Sequence, residues 1–296
     1  MITPELQMIR DLMRESRTEV QADMATRRAD MDLLSTAFPE PTGVTAENIV
    51  VADRPARWYR PDSVNVSSAV LYLHGGAYVS GSLESHRELC ARLAVETGRP
   101  VLALDYRLAP EHPLPAGIDD AVSAWRWLTT EGGVAPGKAA IAGDSAGGGL
   151  TLATLIALRD AGDPLPGAAV LLSPWVDVAC RFPSYTERVH LEPILRADFL
   201  RLDAARYIDD ADPLDTRANP VDADLRGLPP TMVLVGTDEI LYDDSVVLHE
   251  RLMAAGVDAE LVIGEDMFHV WPAFPVLPDA PEAMSRISEF LDTLNE

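Results

Sequence analysis

The chain has 296 residues, 47% hydrophobic and 24% charged, which is the balance of a soluble globular protein long enough for one large α/β domain. Its formal charge of −23 and pI near 4.5 exclude nucleic acid as a partner, because the phosphates would be repelled. Lys138 is the only lysine, and Cys90 and Cys180, which lack metal-ligand spacing, read as two reduced thiols in preference to a disulfide pair.

At the start of the chain, Met1 to Leu12 mixes apolar residues with Glu5, Arg10 and Asp11 and lacks the apolar run of a signal peptide. No stretch reaches the roughly 18–20 apolar residues of a membrane span, so the expected location is cytoplasmic. Residues 3–36 read as a helix or helix pair, with Leu6, Ile9, Met13, Val20, Met24, Met31 and Leu34 at near-helical spacing. Residues 48–60 suggest two extended strands. From residue 66 short apolar runs alternate with longer helical patterns. Buried strands are expected at 69–73, 101–104, 139–142, 168–172, 231–235 and 259–263. Helices are expected near 84–97, 116–130, 147–161, 243–255 and 280–294. That alternation predicts a mostly parallel sheet covered on both faces. Residues 181–225 interrupt it, rich in Arg, Asp and Pro but with apolar anchors, and read as an insertion between strands.

The strongest chemical signal is Gly143-Asp144-Ser145-Ala146-Gly147-Gly148, between the strand 139–142 and a helix. A serine on so tight a turn is pushed into the open, and glycines two before and two after it avoid collision with the neighbouring strand and helix. The helix N-terminus behind it adds a dipole and free N–H groups for a developing oxyanion. His74-Gly75-Gly76-Ala77 closes the strand 69–73, where two glycines let backbone N–H groups approach a ligand; His74 itself reads as a structural residue. After the strand 231–235 come four carboxylates, Asp238, Glu239, Asp243 and Asp244. Asp238 sits nearest the strand end, Glu239 is its competitor, and the other two suit the start of the next helix. His269 lies on a loop after the strand 259–263, whereas His86 and His249 fall on expected surface helices, His112 in a proline-rich turn and His190 in the insertion. The order serine, acid, histidine is that of a nucleophilic triad on an α/β sheet.

Together, His74-Gly75-Gly76, Asp105-Tyr106-Arg107-Leu108-Ala109-Pro110-Glu111, Gly143-Asp144-Ser145-Ala146-Gly147, Ser173-Pro174-Trp175-Val176-Asp177, Asp238 and His269 resemble the hormone-sensitive-lipase family of bacterial esterases. The resemblance covers roughly residues 45–295 and implies an α/β-hydrolase fold. It implies a carboxylesterase with the triad Ser145, Asp238 and His269 and oxyanion donors at the N–H groups of Gly75, Gly76 and Ala146. It also implies a cap from residues 1–40 and 181–225. The chain departs from the family at Ala77-Tyr78, where a further small glycine is common, so Tyr78 is expected to shape the acyl pocket, with Asp144 also placed against substrate. The residues after Asp238 depart from the usual proline-leucine pattern, which keeps Glu239 open as the acid.

The expected chemistry is ester hydrolysis through an acyl-enzyme, with no metal or organic cofactor. Acyl chains of about two to eight carbons are expected, because a covered pocket fills and then excludes longer chains. The expected partner is a small-molecule ester or lactone, with a homodimer left open and neither nucleic acid nor membrane engaged. A lactone hydrolase would use the same atoms. An amidase has nothing to recommend it here, and a hormone receptor on this fold would be expected to have lost the catalytic histidine.

Overall fold

Eight strands form one sheet in a computed structural model that describes residues 3–16, 21–63 and 68–295. They are β1 (Val44–Val51), β2 (Arg54–Pro61), β3 (Ala69–Leu73), β4 (Val101–Leu104), β5 (Ala139–Asp144), β6 (Ala168–Leu172), β7 (Thr231–Gly236) and β8 (Ala259–Gly264), in the order β1-β2-β4-β3-β5-β6-β7-β8. Strand β2 runs antiparallel to both β1 and β4, and every other pairing is parallel. Ala52 and Asp53, both at positive φ, make the two-residue turn between β1 and β2, matching the twist of the hairpin. The expected α/β-hydrolase sheet is therefore present, with the antiparallel hairpin at one edge.

The central strands are buried on both faces, which is why they read as unbroken apolar runs. Alternate residues divide between two cores. Leu71, Leu73, Ile141, Leu171 and Val233 face one, with Trp125, Leu150, Leu155 and Leu248. Val70, Tyr72, Ala140, Val170 and Met232 face the other, with Leu89, Leu93, Met284 and Ile287. Cys180 lies in the first core and Cys90 in the second, and both are free thiols.

The helices are α1 (Pro4–Ser16), α2 (Met24–Leu34), α3 (Arg87–Thr97), α4 (Ala116–Thr129), α5 (Ala146–Ala161), α6 (Ser184–Glu187), α7 (Ala197–Ile208), α8 (Tyr242–Ala254) and α9 (Asp279–Asp292). The expected helical segment 3–36 yields α1 and α2; residues 1–2 and 17–20, with Val20 among them, lie outside the described residues. Asp23 caps α2 by accepting from Thr26 N–H. Helix α2 is tied to the 181–225 segment, where Asp203 of α7 receives both guanidinium nitrogens of Arg27 at 2.8 and 2.7 Å. Helix α1 is tied to the same segment through Arg14, which donates to Leu191 O. Lys138 lies just before β5, at the amino end of the sheet, and its Nζ donates to Leu294 O. No helix among the described residues is long and apolar enough to cross a membrane.

Candidate active site

At Ser145 strand β5 turns abruptly into helix α5. The serine has φ 52° and ψ −120°, a conformation that is costly for a residue with a Cβ. The turn is over-determined: Ser145 N–H donates to Leu172 O, and Ser145 O accepts from Trp175 and Gly149 N–H. A side chain at Gly143 or Gly147 would run into backbone oxygens, including Leu73 O. Ala146 opens α5, so its N–H has no intrahelical acceptor.

The loop after β3 supplies further donors, and here one expectation is corrected. Gly75 N–H does not face the cavity; it donates to Asp144 Oδ1 at 3.0 Å. The physical reason is the sequence of positive φ values at Gly76, Ala77 and Tyr78, which reverses the backbone after Gly75. Val79 and Ser80 N–H then bond back to Gly76 O, and a Cβ at Gly76 would strike Ser80 O. Among the described residues the N–H groups of Gly76 and Ala77 have no hydrogen-bond partner, and both residues line the same cavity as Ser145. Ala77 thus offers a free N–H that reading only glycines overlooks.

Asp144 and Tyr78 are also placed differently from the expectation that both bind substrate. Asp144 touches the cavity, but its carboxylate accepts from Tyr72 Oη at 2.8 Å, Gly75 N–H and His86. Burial disfavours its charge, yet the nearby His86 and these hydrogen bonds hold its carboxyl below the usual range. Tyr78 is buried away from the cavity because its backbone turn sends the ring into the core. It stacks on Tyr207 with centroids 3.8 Å apart and leans on Trp175. His86 was expected on a surface helix; it is buried at the N-terminus of α3, with Ser85 Oγ on its other nitrogen. His74 is buried too, stacked on Tyr106, and burial with the neighbouring His86 pushes it down to about 3, so it stays neutral.

His269 lies on the loop after β8, and its partner is Glu239. His269 Nδ1 is 3.0 Å from Glu239 Oε2. The other oxygen, Oε1, accepts from Gly236 N–H at 2.6 Å and Ser173 Oγ at 2.7 Å. Ser173 Oγ in turn accepts from Val270 N–H, beside His269. Val270 is β-branched yet sits at φ 53°, a strained position that the Ser173 bond and the surrounding packing hold in place. The expectation that Asp238 would face His269 is therefore corrected. Asp238 takes Thr237 Oγ1 and forms an ion pair with the buried Arg10 of α1. The turn at Gly236 explains the exchange: Glu239 folds back over Gly236 N–H toward the imidazole, while Asp238, one residue earlier, is taken up by Arg10. A Cβ at Gly236 would meet Met267 O, so the two loops pack at a distance only glycine permits.

Burial works against a charged His269, but the hydrogen bond and charge of Glu239, with Glu192 and Asp144 farther off, raise its pKa. Ser145, His269, Gly76 and Ala77 open onto one cavity of about 460 Å³. Its walls are mostly apolar, with Met31 and Phe38 from the N-terminal segment and Ile194, Leu195, Phe199 and Leu200 from the 181–225 segment. Leu89 and Phe274 complete them.

A serine on a nucleophile turn, a carboxylate-held histidine and free backbone N–H groups at one cavity define the site of an acyl-transfer enzyme. A family model described as alpha/beta hydrolase fold matches residues 70–273. The chain belongs to the α/β-hydrolase family. This hydrolase is 42% identical to an acetyl-hydrolase from Streptomyces hygroscopicus over 294 residues, covering 99% of this chain and 98% of the relative. It is 38% identical to a carboxylesterase from Mycobacterium tuberculosis over 246 residues, 80% of this chain and 77% of the relative. A crystal structure of an esterase from the bacterial hormone-sensitive lipase family matches the hydrolase with a TM-score of 0.95 at 40% identity, covering 99% of both chains. The resemblance drawn from the motifs thus holds in sequence and in fold.

Proposed function

We propose that this carboxylester hydrolase cleaves short- to medium-chain acyl esters through Ser145, His269 and Glu239. The observation that carries the reading is the hydrogen bond between Glu239 and His269 Nδ1, at a cavity that also holds Ser145. With Nδ1–H given to Glu239, the other ring nitrogen is free to accept the proton of Ser145 Oγ as it attacks the ester carbonyl. The tetrahedral oxyanion is met by the N–H groups of Gly76, Ala77 and Ala146, each worth about 3 kcal/mol in such sites. The C–O bond breaks as His269 returns the proton to the leaving alcohol. Water then gives its proton to His269 as it attacks the acyl-enzyme, and the second tetrahedral intermediate collapses, releasing the acid as His269 returns the proton to Ser145 Oγ. Glu239 stays ionised throughout and stabilises the imidazolium.

The substrate range follows from the cavity. The segments 1–40 and 181–225 act as a cap, a reading supported by their shared cavity walls and by the Arg27–Asp203 tie between them. An apolar pocket of about 460 Å³ suits acyl chains of about two to eight carbons, and the acetyl-hydrolase relative supports the short end of that range. The test is a panel of p-nitrophenyl esters from acetate to palmitate, with small lactones beside them, measured on the native protein and on Ser145→Ala. The expected result is a maximum within the short chains and loss of that activity in the variant. A maximum at palmitate, or a Ser145→Ala protein of native activity, would reject the reading, and lactones turned over faster than every linear ester would move the substrate to cyclic esters.

A further inference from the structure

Glu192 is 1% exposed and belongs to the 181–225 segment, far in sequence from the triad. Its Oε1 accepts from Ile194 N–H at 2.8 Å and Leu195 N–H at 3.2 Å, the local pattern in which a side chain shapes its own turn. Its Oε2 does something no local motif requires: it accepts from Ile240 N–H at 3.3 Å. Ile194 and Leu195 form part of the cavity wall, and Ile240 directly follows Glu239.

We propose that Glu192 is a positioning residue for the hydrolysis, fastening the cavity wall at Ile194 and Leu195 to the backbone of Ile240 and so fixing that wall against the Glu239–His269 pair. The inference rests on the reading of Glu239 as the partner of His269. The carboxylate is suited to the task because it accepts several N–H groups at once, whereas an amide offers one acceptor oxygen and two donors. Its electrostatic surroundings are those of the triad itself. Glu239 faces it from the loop after β7 and His269 from the loop after β8. Arg10 faces it from α1, carrying Asp238 and facing Asp266, while Arg14 of the same helix holds Leu191 O. Burial, and the charge of Glu239 against the relief given by His269, push the Glu192 carboxyl up to about 7. The charge of Glu192 also raises the pKa of His269.

The experiment compares Glu192→Gln, Glu192→Asp and Glu239→Gln with the native protein, rates being counted per site labelled by an organophosphate. Glu192→Gln should lose roughly 10–100-fold in kcat on p-nitrophenyl acetate and butyrate alike, as expected when catalytic groups are slightly misplaced. KM should rise for the butyrate and stay near native for the acetate, because the acetate does not reach the displaced wall. The acid limb of the pH–rate profile should move to lower pH, since the ionised share of Glu192 at that pH raises the pKa of His269; a residue that only holds the fold away from His269 would not move it. Glu192→Asp keeps the charge and loses the reach, so its limb should stay in place while kcat falls. Native kcat in both Glu192 variants, or an unmoved limb in Glu192→Gln, overturns the proposal. Should the Gln variant fail to fold, native kcat in Glu192→Asp overturns it alone. Native activity in Glu239→Gln would instead sink the triad reading.

Discussion

Glu239 and Asp238 are adjacent in sequence and hold different partners. The first holds Nδ1 of His269 at 3.0 Å, and the second holds Arg10 of helix α1. Chemistry and docking of the N-terminal segment therefore meet within two residues, and mutation separates them. Glu239→Gln should cut kcat by about 10⁴-fold with little change in melting, as loss of the orienting carboxylate does in other triads. Asp238→Asn should leave kcat per active site nearly native but destabilise the fold by about 3 kcal/mol, because Arg10 keeps a buried charge without its partner. Site-titrated rates and denaturant melts on the two variants check both halves, and a reversed ranking of kcat would return the acid to Asp238.

The second prediction concerns pH. In the proposed mechanism acylation needs neutral His269, and the folded protein raises the pKa of that imidazole. Activity should accordingly rise with pH through an apparent pKa above that of a free imidazole. The linkage has the same origin. Protonated His269 stabilises the fold fully below the unfolded-state pKa, and this contribution is lost as pH rises through the higher folded value. A pH–rate profile of single-turnover acylation decides the matter, and a limb at or below the ordinary imidazole value would contradict the geometry.

The third prediction concerns the buried network behind the oxyanion loop. Asp144→Ala leaves Tyr72 Oη and Gly75 N–H without their shared acceptor. The expected cost is about 1–3 kcal/mol of stability for each orphaned group. Ser145 should still be labelled by an organophosphate, only more slowly, because the nucleophile is intact while the donors at Gly76 and Ala77 have drifted. A labelling rate equal to the native one would show that the loop holds its shape without Asp144.

The fourth prediction concerns chain length. Each methylene buried in the apolar cavity adds roughly 0.8 kcal/mol until the space is full. Leu200 lines that cavity from α7, so Leu200→Trp should shorten the optimum toward acetate while leaving the acetate kcat near native. Interfacial activation should be absent. Hydrolysis of long-chain triglyceride emulsions at rates matching short esters would overturn the size argument.

The fold was legible because burial on both faces makes strands such as 69–73 and 168–172 unbroken apolar runs, and their alternation with helices allows few topologies. The turn at Ser145 and the loop that carries His269 were legible for a related reason: the glycines around the one and the place of the other after a strand are demands of the backbone. Other features depend on which way a group points, and sequence spacing does not carry that. Glu239 was chosen over Asp238 by a turn at Gly236. The N–H that meets the cavity belongs to Ala77 and not Gly75 because three consecutive positive φ values redirect the backbone. Tyr78 turned inward for the same reason. His86 and Glu192 act across the chain, 58 and 48 residues from Asp144 and Ile240 respectively, and nothing local announces either.

Lys138 stands at the amino end of the sheet, whereas Ser145, Glu239 and His269 all sit beyond the carboxyl ends of β5, β7 and β8. Amine-reactive supports therefore have one side chain to take hold of in this protein, apart from the chain's amino terminus. Coupling through Lys138 would present every immobilised molecule with its cavity turned toward the bulk solution, a uniform orientation that a lysine-rich surface does not allow.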